Sequence, residues 1–169
     1  GNSAFVGYPN LFVLGIVDNE LPNAWINEFH YDNSSTDVGE FIEVVIHNYA
    51  SYALDDFVIT LYNGSGGLPY GAHDLSSFDV GVIDPIDNSF RYFSKAIAGI
   101  QNGAPDGFSL SYQGSVIQFL SYEGIFTATN GIASGMTTTD IGISQNGTEP
   151  AGSSLGLTGS GTQYSDFTW

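Results

Sequence analysis

Apolar and polar positions alternate with a period of two through most of this chain, most densely between residues 25 and 47. In the run 40–47 the alternation puts Ile42, Val44 and Ile46 on one face and Phe41, Glu43, Val45 and His47 on the other. Residues 25–31 read as its partner strand, with Trp25, Asn27, Phe29 and Tyr31 opposite Ile26, Glu28 and His30. Both runs carry apolar bulk on both faces, which fits strands inside a sandwich rather than a hairpin with one wet side. Between them lies an acidic loop, Asp32-Asn-Ser-Ser-Thr-Asp-Val-Gly39.

The same pattern predicts further strands. Residues 57–62 alternate with bulk on both faces and end in the flexible turn Asn63-Gly-Ser-Gly-Gly67. Residues 68–88 read as irregular, broken by Pro69, Gly71, Gly81 and Pro85, with short strands at 75–78 and 80–83. A strand at 90–96 follows, then a helical turn at 96–100. The clearest hairpin pairs residues 108–112 with 116–122 across Gln113-Gly-Ser115. The Gly-, Ser- and Thr-rich remainder holds short strands at 140–144, 154–158 and 166–169. No stretch sustains a helical period, so short strands separated by turns predict an all-β sandwich.

Composition sharpens this picture. A chain of 169 residues, 42 % hydrophobic and 14 % aromatic, is rich enough to bury one core and too rich for a disordered tail. Residues 25–169 are expected to form the domain. Residues 1–24 form an apolar N-terminal extension docked on it, with Asp18-Asn-Glu-Leu-Pro22 turning into Trp25. The apolar run Leu11-Phe-Val-Leu-Gly-Ile-Val17 is far shorter than the ~20 residues that span a bilayer, so no membrane insertion is expected. It also lacks the basic flank of a signal peptide, and the chain reads as a mature or excised piece of an exported protein.

Arg91 and Lys95 face 18 acidic residues, a net charge of −16. Nucleic-acid binding rests on lysines and arginines that neutralise phosphates, so direct DNA or RNA binding is not expected. An anionic membrane repels the chain for the same reason. Such acidity suits solubility in a saline or calcium-rich exterior, or a cation-binding surface. The absence of cysteine excludes disulfides, thiolate metal sites and a Cys nucleophile.

Several segments resemble the bacterial branch of the lamin tail domain family. They are Ile26-Asn-Glu-Phe-His-Tyr-Asp-Asn33, Asp37-Val-Gly-Glu-Phe-Ile-Glu43, Leu61-Tyr-Asn-Gly64 and Gly99-Ile-Gln-Asn-Gly-Ala-Pro-Asp-Gly107. Gln118-Phe-Leu-Ser-Tyr-Glu-Gly124, Met136-Thr-Thr-Thr-Asp-Ile-Gly142, Ser153-Ser-Leu-Gly-Leu-Thr-Gly-Ser-Gly161 and Asp166-Phe-Thr-Trp169 continue the likeness in order. The resemblance spans residues 25–169 and implies an immunoglobulin-like β-sandwich. It also implies an accessory part of a secreted or surface bacterial protein, often beside an extracellular nuclease or other hydrolase domain. The apolar extension and the ending at Trp169 depart from the family's pattern.

Candidate chemistry concentrates in the acidic loop. Calcium takes six to eight hard oxygens, and Asp32, Asn33, Asp37 and Glu40 can converge on one ion if the loop curls. The spacing is not that of an EF-hand, and the same Asp and Asn side chains also brace a loop through Asx turns. Glu28 with His30 and Glu43 with His47 form a second set that binds zinc only if the two strands bring the histidines together. No His-Glu-x-x-His or phosphate-binding Gly-x-x-x-x-Gly-Lys-Ser/Thr loop is present, and the chain reads as non-enzymatic. The leading expectation is an extracellular module that positions a neighbouring catalytic domain or tethers it to a surface or matrix component, with calcium as the candidate cofactor. The rival readings are a carbohydrate- or protein-binding adhesion module using an aromatic face, and a metal-dependent hydrolase using the loop.

Overall fold

The structure is a computed structural model that describes residues 20–169. The expected docking of the N-terminal extension therefore falls, for residues 1–19, outside the described residues. Two five-stranded sheets face each other. The first runs in the order β10 (Leu155–Gly156), β1 (Ala24–His30), β2 (Phe41–His47), β6 (Phe90–Ala96) and β5 (Asp79–Ile83). The second runs β4 (Leu68–Asp74), β3 (Phe57–Asn63), β7 (Asp106–Tyr112), β8 (Ser115–Tyr122) and β9 (Thr139–Asp140). A two-stranded ribbon of β11 (Thr158–Gly159) and β12 (Phe167–Thr168) lies beyond them. Helical structure among the described residues is confined to 3₁₀ turns. The molecule is an all-β, immunoglobulin-like sandwich.

The core lies between the sheets. Ile42, Val44 and Ile46 of β2 face inward with Phe93, as the period-two reading of that strand requires. They meet Phe57, Ile59, Leu61, Phe108, Leu110 and Leu120 from the second sheet. Phe29 packs edge-on against Phe108 at 4.8 Å, and Tyr31 stacks on Tyr122 at 4.0 Å. Such buried aromatic pairs contribute about 0.5–1.5 kcal/mol each beyond their area.

In β1 the expected alternation fails. The register shifts between Ile26, opposite Val44, and Glu28, opposite Glu43, so Asn27 is the extra residue of a β-bulge. A bulge resets which face the following side chains take. Ile26 and Phe29 consequently both join the inner core, while Trp25 turns to the outer face beside Val45 and Phe90. The sandwich thus gains a second apolar layer. Leu157, Tyr164 and Phe167 from the C-terminal segment pack against that outer cluster.

Other differences from the sequence reading have local causes. Residues 68–74, read as irregular, form strand β4 at the sheet edge, where the missing N–H of Pro69 leaves no central ladder broken. The strand expected at 75–78 is a 3₁₀ turn, Leu75–Ser77, with Leu75 buried in the core. Instead of a helical turn, residues 97–99 form a tight turn held by Glu40, whose carbonyl accepts from the Ile97 N–H at 3.0 Å. The strand expected at 140–144 reduces to Thr139–Asp140, which runs parallel to β8. The hairpin of β7 and β8 turns through Gln113 (φ 46°) and Gly114 (φ 79°), the positive pair that a two-residue type I′ loop demands.

Candidate functional site

The acidic loop leaves β1 beside a buried polar knot. Asn33 is 2 % exposed and spends its side chain on the loop and on His30 of β1. Its Oδ1 accepts from the Val38 N–H at 2.9 Å, and its Nδ2 donates to the carbonyls of Ser34 and Thr36. Asp37 accepts from the Asn33 N–H through Oδ1 and from the Asn102 amide through Oδ2 at 3.2 Å. Glu40 points elsewhere, taking the Gly99 N–H at 2.8 Å. Asp32 is the freest of the four, and burial together with repulsion from Asp37 holds its carboxyl above the usual range.

The four expected calcium ligands are therefore not brought together as one set. Asp32 and Asp37 face each other, while Asn33 and Glu40 are committed to backbone. Among the described residues no three His, Cys, Asp or Glu side chains gather in a geometry suited to a metal ion. The Asx-turn function of this loop is what its hydrogen bonds display.

The zinc set is likewise not assembled. His30 pairs with Phe41 across the ladder, so His47 lies six residues further along β2, roughly 20 Å away at 3.3 Å per residue. Antiparallel register puts the two histidines at opposite ends of the same strand pair. His30 is 1 % exposed, and both ring nitrogens are engaged. Its Nε2 lies 3.1 Å from Asn33 Oδ1, and its Nδ1 lies 2.8 Å from Gln145 Nε2. Its Nδ1 also lies 3.0 Å from Gln145 Oε1, so the glutamine amide meets either tautomer of the ring. Gln145 Oε1 meanwhile accepts from the backbone N–H of Tyr31 at 2.8 Å and of Asp32 at 3.2 Å. Nothing in the Gly/Ser/Thr-rich sequence around residue 145 singled out this glutamine.

The outer face of the first sheet carries a different feature. A cleft of about 520 Å³ opens between the C-terminal segment and the turn joining β5 to β6. Trp25, Phe90, Tyr92 and Phe167 form its aromatic walls, and Asp84 and Asp87 stand at its rim. Trp25 lies 5.7 Å from both Phe90 and Phe167, ring centre to ring centre. The Trp25 indole N–H is buried and has no acceptor. Asp84 Oδ1 accepts from the N–H groups of Ile86 and Asp87, and its Oδ2 lies 3.4 Å from the Tyr92 hydroxyl. Asp87 Oδ1 accepts from the Ser89 N–H and hydroxyl. Those donors hold both carboxyls below the usual range, so both are anions at neutral pH.

Most other aromatics, Tyr31, Tyr62 and Tyr122 among them, are core residues rather than a surface platform. Exposed apolar side chains concentrate on the free edge of the first sheet instead. Val80 is 56 % exposed, Val82 70 % and Ile86 96 %, with Ile83 beside them. Compared with protein-family models, curated proteins and solved structures, the chain finds no match.

Proposed function

We propose that the chain is a non-catalytic interaction module of an exported bacterial protein. It positions a neighbouring domain or tethers it to a surface or matrix component. The observation that carries this reading is the apolar row Val80, Val82, Ile83 and Ile86 along edge strand β5 and its following turn. An edge strand presents unpaired backbone donors and acceptors, and apolar side chains beside them offer contact area to a partner. His30 supports the same reading, because both its ring nitrogens are engaged by internal hydrogen bonds. The likeness to the lamin tail domain family and the net charge of −16 support the extracellular address.

The test places a photo-crosslinking amino acid at Val82 in the intact exported protein, with Asp140 on the second sheet as the comparison site. Crosslinks to a neighbouring domain or matrix component from position 82, and not from 140, are the expected result. Equal yields at the two positions, or none at 82, overturn the docking face.

A further inference from the structure

We propose that the cleft over Trp25 and Tyr92 receives an arginine side chain presented by a partner protein, its guanidinium against the aromatic walls and between Asp84 and Asp87. The first argument is charge. Two carboxylates stand at the rim, and no lysine or arginine of the described residues reaches them; His47, packed on Phe90, is near enough to help hold the Asp87 carboxyl down. Arg91 and Lys95 pair with Ile46 and Ile42, the inward residues of β2, and so lie on the opposite face of the sheet. There Arg91 sits over Tyr49 and Lys95 over Phe78. The cleft's own cation has to come from outside, in a molecule whose field already concentrates cations.

The second argument is shape and chemistry. Aromatic faces carry negative quadrupoles that attract cations, and a planar guanidinium stacks on them while forking toward carboxylates. Each aspartate uses its Oδ1 to hold the turn, and in both Oδ2 takes no backbone donor. The third argument is the orphaned indole. Trp25 is 3 % exposed, lines the cleft and leaves a donor unmatched. That donor is shut off from solvent, so a peptide carbonyl reaches it only where Phe167 and Leu157, which pack on Trp25, move aside. The cleft is adjacent to the edge strand through Ile86, which lines it. This inference deepens the interaction-module reading, but it concerns the cleft alone.

The test is a titration of the isotope-labelled chain with N-acetyl-arginine amide, read at the Trp25 indole N–H and at the amides of Ile86 and Asp87. The Trp169 indole donates to the Tyr164 hydroxyl at 2.9 Å and serves as internal reference. The neutral isostere N-acetyl-citrulline amide, a neutral disaccharide and a short arginine-containing peptide form the other arms. A saturable shift with arginine and not citrulline is expected, stronger for the peptide. Asp84→Asn with Asp87→Asn keeps both turn acceptors and should weaken binding about tenfold or more. Asp55→Asn, equal in charge per site but exposed elsewhere, should change it less than about twofold. No saturable shift, equal response to citrulline, or disaccharide binding indifferent to the Asn variants overturns the proposal. Binding of the free amide equal to that of the peptide would assign the cleft to a small cation and overturn the protein-partner part. Crosslinking from Val82 with no arginine response leaves the module reading standing and removes only this one.

Discussion

Replacing Gln145 with alanine probes the polar knot that joins the C-terminal half of the chain to the end of β1. The side chain is 1 % exposed and reaches across 114 residues to Tyr31. Its removal strips the acceptor from the Tyr31 N–H and the partner from His30 Nδ1, both buried. The Asp32 N–H loses its acceptor too, but it is only partly buried and water can replace the bond. A buried polar group left unmatched costs about 1–3 kcal/mol, so two of them set the loss at about 2–6 kcal/mol, with about 3 kcal/mol expected once the side chains relax. For a domain of this size that corresponds to a fall of about 6–12 °C in the unfolding midpoint. Urea unfolding gives the free energy directly, provided the slope matches the parent's. Thr148→Ala is the comparison, since its hydroxyl bonds Asn146 at an exposed position and should cost less than about 0.5 kcal/mol. A Gln145→Ala loss below about 1 kcal/mol, or equal to that of Thr148→Ala, would refute the idea that this glutamine holds the halves together.

Three further perturbations follow from the same geometry. Gly107→Ala puts a Cβ 2.1 Å from the Leu120 carbonyl oxygen, so β7 and β8 must separate; a loss of about 3 kcal/mol or more is expected in urea, against a far smaller effect at an open site. Burial raises the carboxyls of Asp32, Glu43 and Asp106, where the folded protein holds more protons than the unfolded chain above pH ~4, and lowers His73, where it holds fewer below pH ~7. With His73→Gln removing that opposing group, stability should therefore rise as the pH falls from 7 through the raised carboxyl values. The depressed Asp84, Asp87 and Glu149 contribute stability that is lost only at lower pH. A midpoint that falls steadily between pH 7 and 5 contradicts this. Because no three acidic side chains of the described residues converge at the acidic loop, thermal unfolding in chelator and with calcium added back should give the same midpoint; a saturable calcium-dependent rise that Asp37→Ala removes refutes that reading.

Much of the sandwich was legible because β2, β3 and β7 alternate in a plain period of two, whereas the inward face of β6 was not, since it carries Arg91 and Lys95 beside Phe93. Trp25 and Phe29 were not legible, because a bulge depends on how the neighbouring ladder is bonded and leaves no mark beyond an ordinary Asn27. That one extra residue turns Trp25 outward and thereby furnishes a wall of the cleft. The acidic loop was recognised as a dense set of oxygens, but sequence spacing does not say whether an oxygen faces an ion or its own backbone. Asn33 and Glu40 chose backbone. Gln145 escaped notice because its partners lie over a hundred residues away, and Asp84 and Asp87 read only as breakers in a Pro-interrupted stretch.

The central claim is that the chain binds rather than catalyses. It is tested most directly by assaying the purified protein on nucleic acid, simple phosphodiesters and polysaccharides, with calcium, magnesium or zinc supplied in turn. The account predicts rates equal to the protein-free blank for the parent and for His30→Asn and Asp37→Asn alike. Saturable turnover that follows the protein through purification and disappears in either variant would contradict it.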